Sequence, residues 1–125
     1  MRDSKGKIYV GYRVQQIAHD GTVTSRECKV EVRINACHFP LDPCFKKRKH
    51  SPTGFEWGYC GSGPAQLALA LVADACGAEF ARPEIYQRVK AIIVGGLPSD
   101  GWTLTAKQVQ ECVMQIVAQK EGGVQ

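Results

Sequence analysis

The residues best equipped for chemistry gather around one glycine-rich turn. Cys60 opens the run Cys60-Gly61-Ser62-Gly63-Pro64, immediately ahead of a long apolar segment. A thiol just before a helix N-terminus lies in a positive field that favours the thiolate, which is the nucleophilic form. A cysteine nucleophile also needs a base, and His50 and His38 are the candidates. Nothing in their spacing sets either histidine beside Cys60, and no partner carboxylate or amide stands out. The plainer reading is a small residue lining a turn, so no catalytic residue is assigned; Cys60 and His50 are the pair to test.

The same turn suggests an anion site. Gly61, Ser62 and Gly63, with Gly58 ahead of them, let backbone N–H groups approach a phosphate or carboxylate at a helix start. The run lacks the lysine and hydroxyl of a phosphate-binding P-loop, and Pro64 removes one donor. Close packing of chain against helix explains the glycines as well. Metal ligation would draw on Cys37, His38, Cys44, His50 and Cys60, whose spacing matches neither paired C-x-x-C knuckles nor a Cys/His finger. No metal site and no cofactor are assigned. Asp74, Glu79 and Glu84 read as helix-end charges rather than an acid/base pair.

Recognition chemistry is more evident. Through His50 the chain carries 11 Lys/Arg against 5 Asp/Glu, a net of +6, and from Ser51 onward 5 against 7, a net of −2. The densest run is Lys46-Lys47-Arg48-Lys49. Four adjacent cations attract phosphates or an acidic protein face through a field that salt screens over about 10 Å, unless they are merely a solvated loop. Phe55, Trp57 and Tyr59 alternate beside that run, with Phe45 nearby. Period-two spacing predicts all three on one face of an extended segment, as a lid over the core or as a stacking platform. The binding candidates are Lys46, Lys47, Arg48, Lys49, Trp57 and Tyr59.

These residues need a frame, and the chain is long enough to supply one. A domain of 125 residues buries roughly 65–70% of its unfolded surface and needs no staples. The composition, 44% hydrophobic and 22% charged, is that of one globular domain spanning 1–125, with about 1–6 and 121–125 expected to fray. The longest apolar stretch, Ala65 to Ala73 broken by Gln66, falls far short of the roughly 20 residues of a membrane span. The N-terminus shows no secretory signal, so a cytoplasmic location is expected, bacterial or, for a phage-encoded protein, in the host; six cysteines then read as free thiols.

Lys7 to Ile17 is β-rich and leads into His19-Asp20-Gly21-Thr22, a hairpin turn. Val30, Val32 and Ile34 then alternate with charged residues, so one face is buried. Pro40 and Pro43 predict a loop from Asn35 to Pro43, followed by a short edge strand over Cys44 to Lys49. From Pro64 to Cys76 the sequence is apolar nearly all round, which predicts a buried central helix capped by Ser62 or Gly63 and stopped by Gly77. A second helix begins near Pro83 with Ile85, Tyr86, Val89, Ile92 and Ile93 as its stripe. The third follows the capping-box pattern Thr105-Ala106-Lys107-Gln108 and carries Val109, Cys112, Val113, Ile116 and Val117, with Trp102 as a packing anchor before it. The order predicts an α+β fold, an N-terminal antiparallel hairpin or meander packed on a buried central helix with two further amphipathic helices.

The block from His50 to Leu71, with Gly54-Phe55-Glu56-Trp57-Gly58-Tyr59-Cys60-Gly61-Ser62-Gly63-Pro64-Ala65-Gln66-Leu67 at its centre, resembles the signature of a small bacterial family catalogued only as a domain of unknown function. Tyr86-Gln87-Arg88-Val89-Lys90, Leu97-Pro98 and Gly101-Trp102-Thr103-Leu104-Thr105 resemble its downstream companions. The resemblance covers about half the chain. It implies an α+β domain of bacteria, phages and plasmids and no particular activity. Members carry glycine where this chain has Cys60, which argues against an essential thiol there.

The expectation is a non-enzymatic module that binds a macromolecule through its basic half. An acidic protein surface or a protein–nucleic acid complex is the first partner class, with an inhibitor carried by a mobile element as one version. Direct nucleic-acid binding is second, and a Cys60-dependent enzyme a distant third. No membrane partner is expected, and the sequence leaves the oligomeric state open.

Overall fold

Four antiparallel strands and three helices, seen in a computed structural model that describes residues 3–51 and 54–121, form the α+β frame the sequence predicts. Strands β1 (Ile8–Ile17) and β2 (Val23–Ile34) make a long hairpin. Its turn closes as the Asp-Gly signal implies, with Ala18 N–H donating to the Thr22 carbonyl at 2.8 Å. Strand β3 is Cys37–Pro40 and β4 is Gly101–Thr105, giving the order β3-β2-β1-β4. Helices α1 (Ser62–Cys76), α2 (Pro83–Ile92) and α3 (Ala106–Glu121) follow the glycine turn, with short 3₁₀ turns at Ala78–Phe80 and Val94–Gly96.

Period two sets the sheet's two faces. Tyr9 pairs with Val32 and with Leu104, and Gly11 with Val30 and with Trp102, so these side chains share the inner face and join α1 in one core. Leu67 through Val72 have no exposed surface. Tyr9 reaches across to α1, its hydroxyl donating to Asp74 Oδ2 at 2.7 Å, and Lys7 Nζ lies 3.1 Å from the same oxygen. The reciprocal capping box is complete: Gln108 N–H donates to Thr105 Oγ1 at 3.0 Å, and Thr105 N–H to Gln108 Oε1 at 2.8 Å.

Several local expectations are corrected. The predicted loop over Asn35 to Pro43 contains β3, which pairs with β2 from Ile34↔Cys37 to Glu31↔Pro40. Asn35 (φ 55) lets a two-residue turn close the hairpin, and Pro40 sits at the end of an edge strand, where a missing donor is tolerated. The short strand expected over Cys44 to Lys49 is instead a turn, with Lys47 and Arg48 N–H donating to the Cys44 carbonyl. Gly101–Thr105, for which the sequence predicts no strand, forms β4, from which Trp102, the expected packing anchor, and Leu104 point inward. The cap of α1 is Gly61, without a side-chain bond, and Ser62 is the first helical residue. Ile92 is 57% exposed, outside the stripe of α2. The fraying expected at the ends falls partly on residues 1–2 and 122–125, which lie outside the described residues.

Trp102 fits only because position 11 has no side chain. A Cβ on Gly11 would lie 2.3 Å from the Trp102 ring, and Trp57 stands edge-on behind that ring at 5.5 Å between centroids. The indole has nowhere to retreat. Gly11→Ala is expected to lower stability by about 1–3 kcal/mol, read as a shift of the urea midpoint at unchanged slope; a neutral result would show that β4 yields.

Candidate functional site

The basic run sits on a loop that has little regular structure of its own and is held by one buried side chain. Gln66 lies in the first half of α1 with no exposure. Its Oε1 accepts from His50 N–H at 2.6 Å and Ser51 N–H at 3.2 Å, and its Nε2 donates to the carbonyls of Pro43 at 2.5 Å and Arg48 at 3.0 Å. A buried amide needs such partners, and a loop without a ladder needs somewhere to send its backbone groups. Each meets the other's need. Lys46, Lys47, Arg48 and Lys49 are all exposed on this loop, and Lys49 Nζ lies 5.6 Å from the Phe45 ring.

His50 closes the loop. Its Nε2 is 2.6 Å from the Tyr86 hydroxyl, and the rings meet edge to face at 5.5 Å. Burial, then the charges of Arg48 and Lys90, hold the imidazole below its ordinary pKa, while burial raises the Tyr86 phenol. The surroundings of His50 thus favour the neutral imidazole.

A second feature lies where the β1–β2 hairpin overhangs the helices. Arg13, Gln15, Arg26 and Cys28 form the floor of an open groove of about 780 Å³, walled by Phe55 to Tyr59 and Ser99. Arg13 organises it. Its guanidinium stands 4.7 Å from the Trp57 ring centroid, donates to the Ser99 carbonyl, to Cys28 Sγ at 2.8 Å and to Glu56 at 3.2 Å. Trp57 Nε1 also donates to Ser99, at 3.1 Å. Burial, with Glu56 adding to it, pushes the Cys28 thiol up to about 11, so it is protonated at pH 7.

The aromatic segment does not present one face. Gly58 has φ 86, which breaks the alternation. Trp57 is buried against Trp102, Phe55 is half-buried, and Tyr59 is 51% exposed. The Tyr59 ring covers Gly61, where a Cβ would lie 2.8 Å from it, and the Glu56 stem covers Gly63 at 2.6 Å. Protein side chains therefore fill the space before the Gly61-Ser62-Gly63 turn. Cys60 is exposed, its Sγ lies against Gly95, and it makes no hydrogen bond among the described residues. The base weighed for it, His50, is bonded to Tyr86 instead. His38 is exposed on β3, 3.9 Å from Glu31. All six cysteines are free thiols, and among the described residues no three His, Cys, Asp or Glu side chains gather as metal ligands.

Sequence reasoning missed Gln66 and Arg13. A lone glutamine inside Ala65 to Ala73 is a legible signal of a buried anchor; Arg13, in a half-exposed strand, carries none.

The frame and the two features define an α+β protein, a four-stranded antiparallel sheet with three helices, that presents an anchored basic loop and an arginine-centred groove. The model of a family of unknown function, DUF6166, matches residues 9–115, and the chain belongs to that family. No curated protein and no solved structure matches it. No helix among the described residues is long and apolar enough to cross a membrane.

Two outcomes test the loop's anchoring. Gln66→Leu keeps the bulk and leaves two N–H and two C=O groups unmatched, at an expected cost of about 2–3 kcal/mol; faster amide exchange at His50 and Ser51 would localise it, and unchanged exchange would refute the anchor. Because the folded His50 pKa is depressed, its contribution is present above the unfolded value of about 6.5 and is lost as pH falls from there through the lower folded value. Urea melts between pH 7.5 and 5 should show the wild type losing stability relative to His50→Phe. Parallel curves would refute the assignment.

Proposed function

We propose that the protein is a non-enzymatic binding module whose loop Lys46-Lys47-Arg48-Lys49 recognises an acidic protein surface. The observation that carries this is the loop's construction. Four cations stand in solvent on a backbone pinned to the buried Gln66 by four hydrogen bonds. Ordering a flexible loop at an interface subtracts from affinity, and a loop already fixed avoids much of that cost.

Charge pairing supports the same reading. Lys7, Arg13, Lys29 and Arg33 each have a carboxylate within 3.2 Å, at Asp74, Glu56, Glu27 and Glu31. Lys46, Lys47, Arg48 and Lys49 have none among the described residues. The positive excess of the first half is therefore concentrated where the backbone is anchored. Nothing comparable supports an enzyme, since His50 is engaged with Tyr86 and a thiol near Gly95 has no base bonded to it.

Changing Lys46, Lys47 and Lys49 to Glu should leave the fold intact, because all three side chains are exposed. Against a partner isolated from the native host, the triple variant should associate more slowly, with weaker salt dependence, because charges at an interface rim act mainly on the on-rate. Unchanged capture would overturn the proposal. Gel shifts with random DNA and RNA at low salt separate the runner-up: wild-type binding that falls linearly with log salt, with a slope flattened in the variant, would assign the loop to nucleic acid.

A further inference from the structure

We propose that the overhanging half of the β1–β2 hairpin is a docking site for an extended, acidic segment of a partner protein, which adds as a strand to the open edge of β2. This rests on the protein-binding reading but not on the basic loop.

The first observation is the edge itself. β3 covers β2 only over Glu31 to Ile34, and Leu41 N–H donates to the Val30 carbonyl. From Val23 to Lys29 no backbone bond crosses that side among the described residues. The Val30 carbonyl faces this edge, and in an antiparallel ladder every second residue turns both its N–H and its C=O the same way. Cys28 and Arg26 thus present a row of main-chain donors and acceptors to solvent. β1 holds this half of β2 from the other side, so the edge is preformed.

The second observation is what lies beside it. Arg26 and Cys28 point to the inner face, into the groove walled by Phe55, Tyr59 and Gly58. A strand added to β2 would alternate its side chains, sending every second one over that groove. The third is charge. Both carboxylates lining the groove are already neutralised, Glu56 by Arg13 at 3.2 Å and Glu27 by Lys29 at 3.1 Å. Arg26 is exposed and has no carboxylate among the described residues. The groove therefore favours an incoming Asp or Glu opposite Arg26, with an apolar residue two positions away against Phe55 and the exposed Tyr59 ring.

The probes are a capped peptide Thr-Glu-Thr-Val-Thr-Glu-Thr-Val, which sets glutamate and valine two positions apart on one face of a strand, and its counterpart with lysine for glutamate, titrated into the full-length isotope-labelled chain while backbone amide resonances are followed. The acidic peptide is expected to shift and protect the amides of Arg26 and Cys28 and to shift those of Phe55 to Tyr59; the lysine peptide should bind at least about tenfold more weakly. Arg26→Glu, an exposed strand position, should reverse that preference without moving the melting midpoint. Placing proline in the acidic peptide should abolish binding, because a ladder donor is lost. Equal binding of the two peptides, no shift at Arg26 and Cys28, or a preference unchanged in Arg26→Glu would overturn the proposal. Shifts confined to Lys46–Lys49 would overturn it while leaving the loop's own role standing.

Discussion

One amide governs much of this structure. Helix α1 is buried almost all round, and Gln66 is its fully buried polar side chain. An amide in that position is tolerable only with partners, since leaving one buried polar group unmatched costs about 1–3 kcal/mol. All the partners found for it are main-chain groups of the segment between β3 and α1. That segment closes no ladder, and its own Cys44-centred turn satisfies only two of its donors. Core and loop are thereby one unit. The packing of α1 that excludes water also decides where Pro43, Arg48, His50 and Ser51 lie, and the side chains between them are left outside.

Arg13 does the corresponding work at the other end of the sheet. The chain there must pass from a half-exposed ribbon to a buried core, and an arginine suits both, with a stem that packs and a head that donates in several directions. Its contacts with Cys28, Glu56, Trp57 and Ser99 join β2, the segment before α1 and the segment before β4. Trp57 in turn meets Trp102, which occupies the space Gly11 leaves. The order β2-β1-β4 thus depends on a glycine, two tryptophans and an arginine that are scattered through the chain but adjacent in space.

What was legible in the sequence was what is local. The Asp-Gly turn, the apolar helix, the capping box at Thr105 and the alternation of Val30, Val32 and Ile34 each declare themselves within a few residues, and each is present. Membership in a family of unknown function was legible too, from a block that includes Trp57 and Gln66. β3 was hidden because prolines read as breakers, whereas an edge strand accepts one at its end. β4 was hidden for another reason. Trp102 and Leu104 alternate properly, but five residues leading directly into a capping box do not read as a strand unless the partner strand, 91 residues earlier for Gly11↔Trp102, is known. The candidate site suffered most. The four cations were visible, while the amide that fixes them and the hydroxyl that engages His50 lie 16 and 36 residues away.

The distribution of unpaired charge has a physical consequence that net charge conceals. Lys7 and Arg13, each with a carboxylate beside it, are partly buried and bind elements together; their worth lies in geometry. Arg26 and the four cations of the loop have no such partner among the described residues and are exposed, so removing them should change folding little. A sequence that keeps four like charges adjacent accepts mutual repulsion with no local gain in stability. Anchoring the backbone beneath them increases that repulsion, because the loop cannot relax to spread them. Contact with negative charge would relieve that repulsion, whereas the Gln66 anchor stabilises the isolated chain as well. That opposition between what stabilises the fold and what the loop presents is the physical argument for the recognition proposed at Lys46 to Lys49.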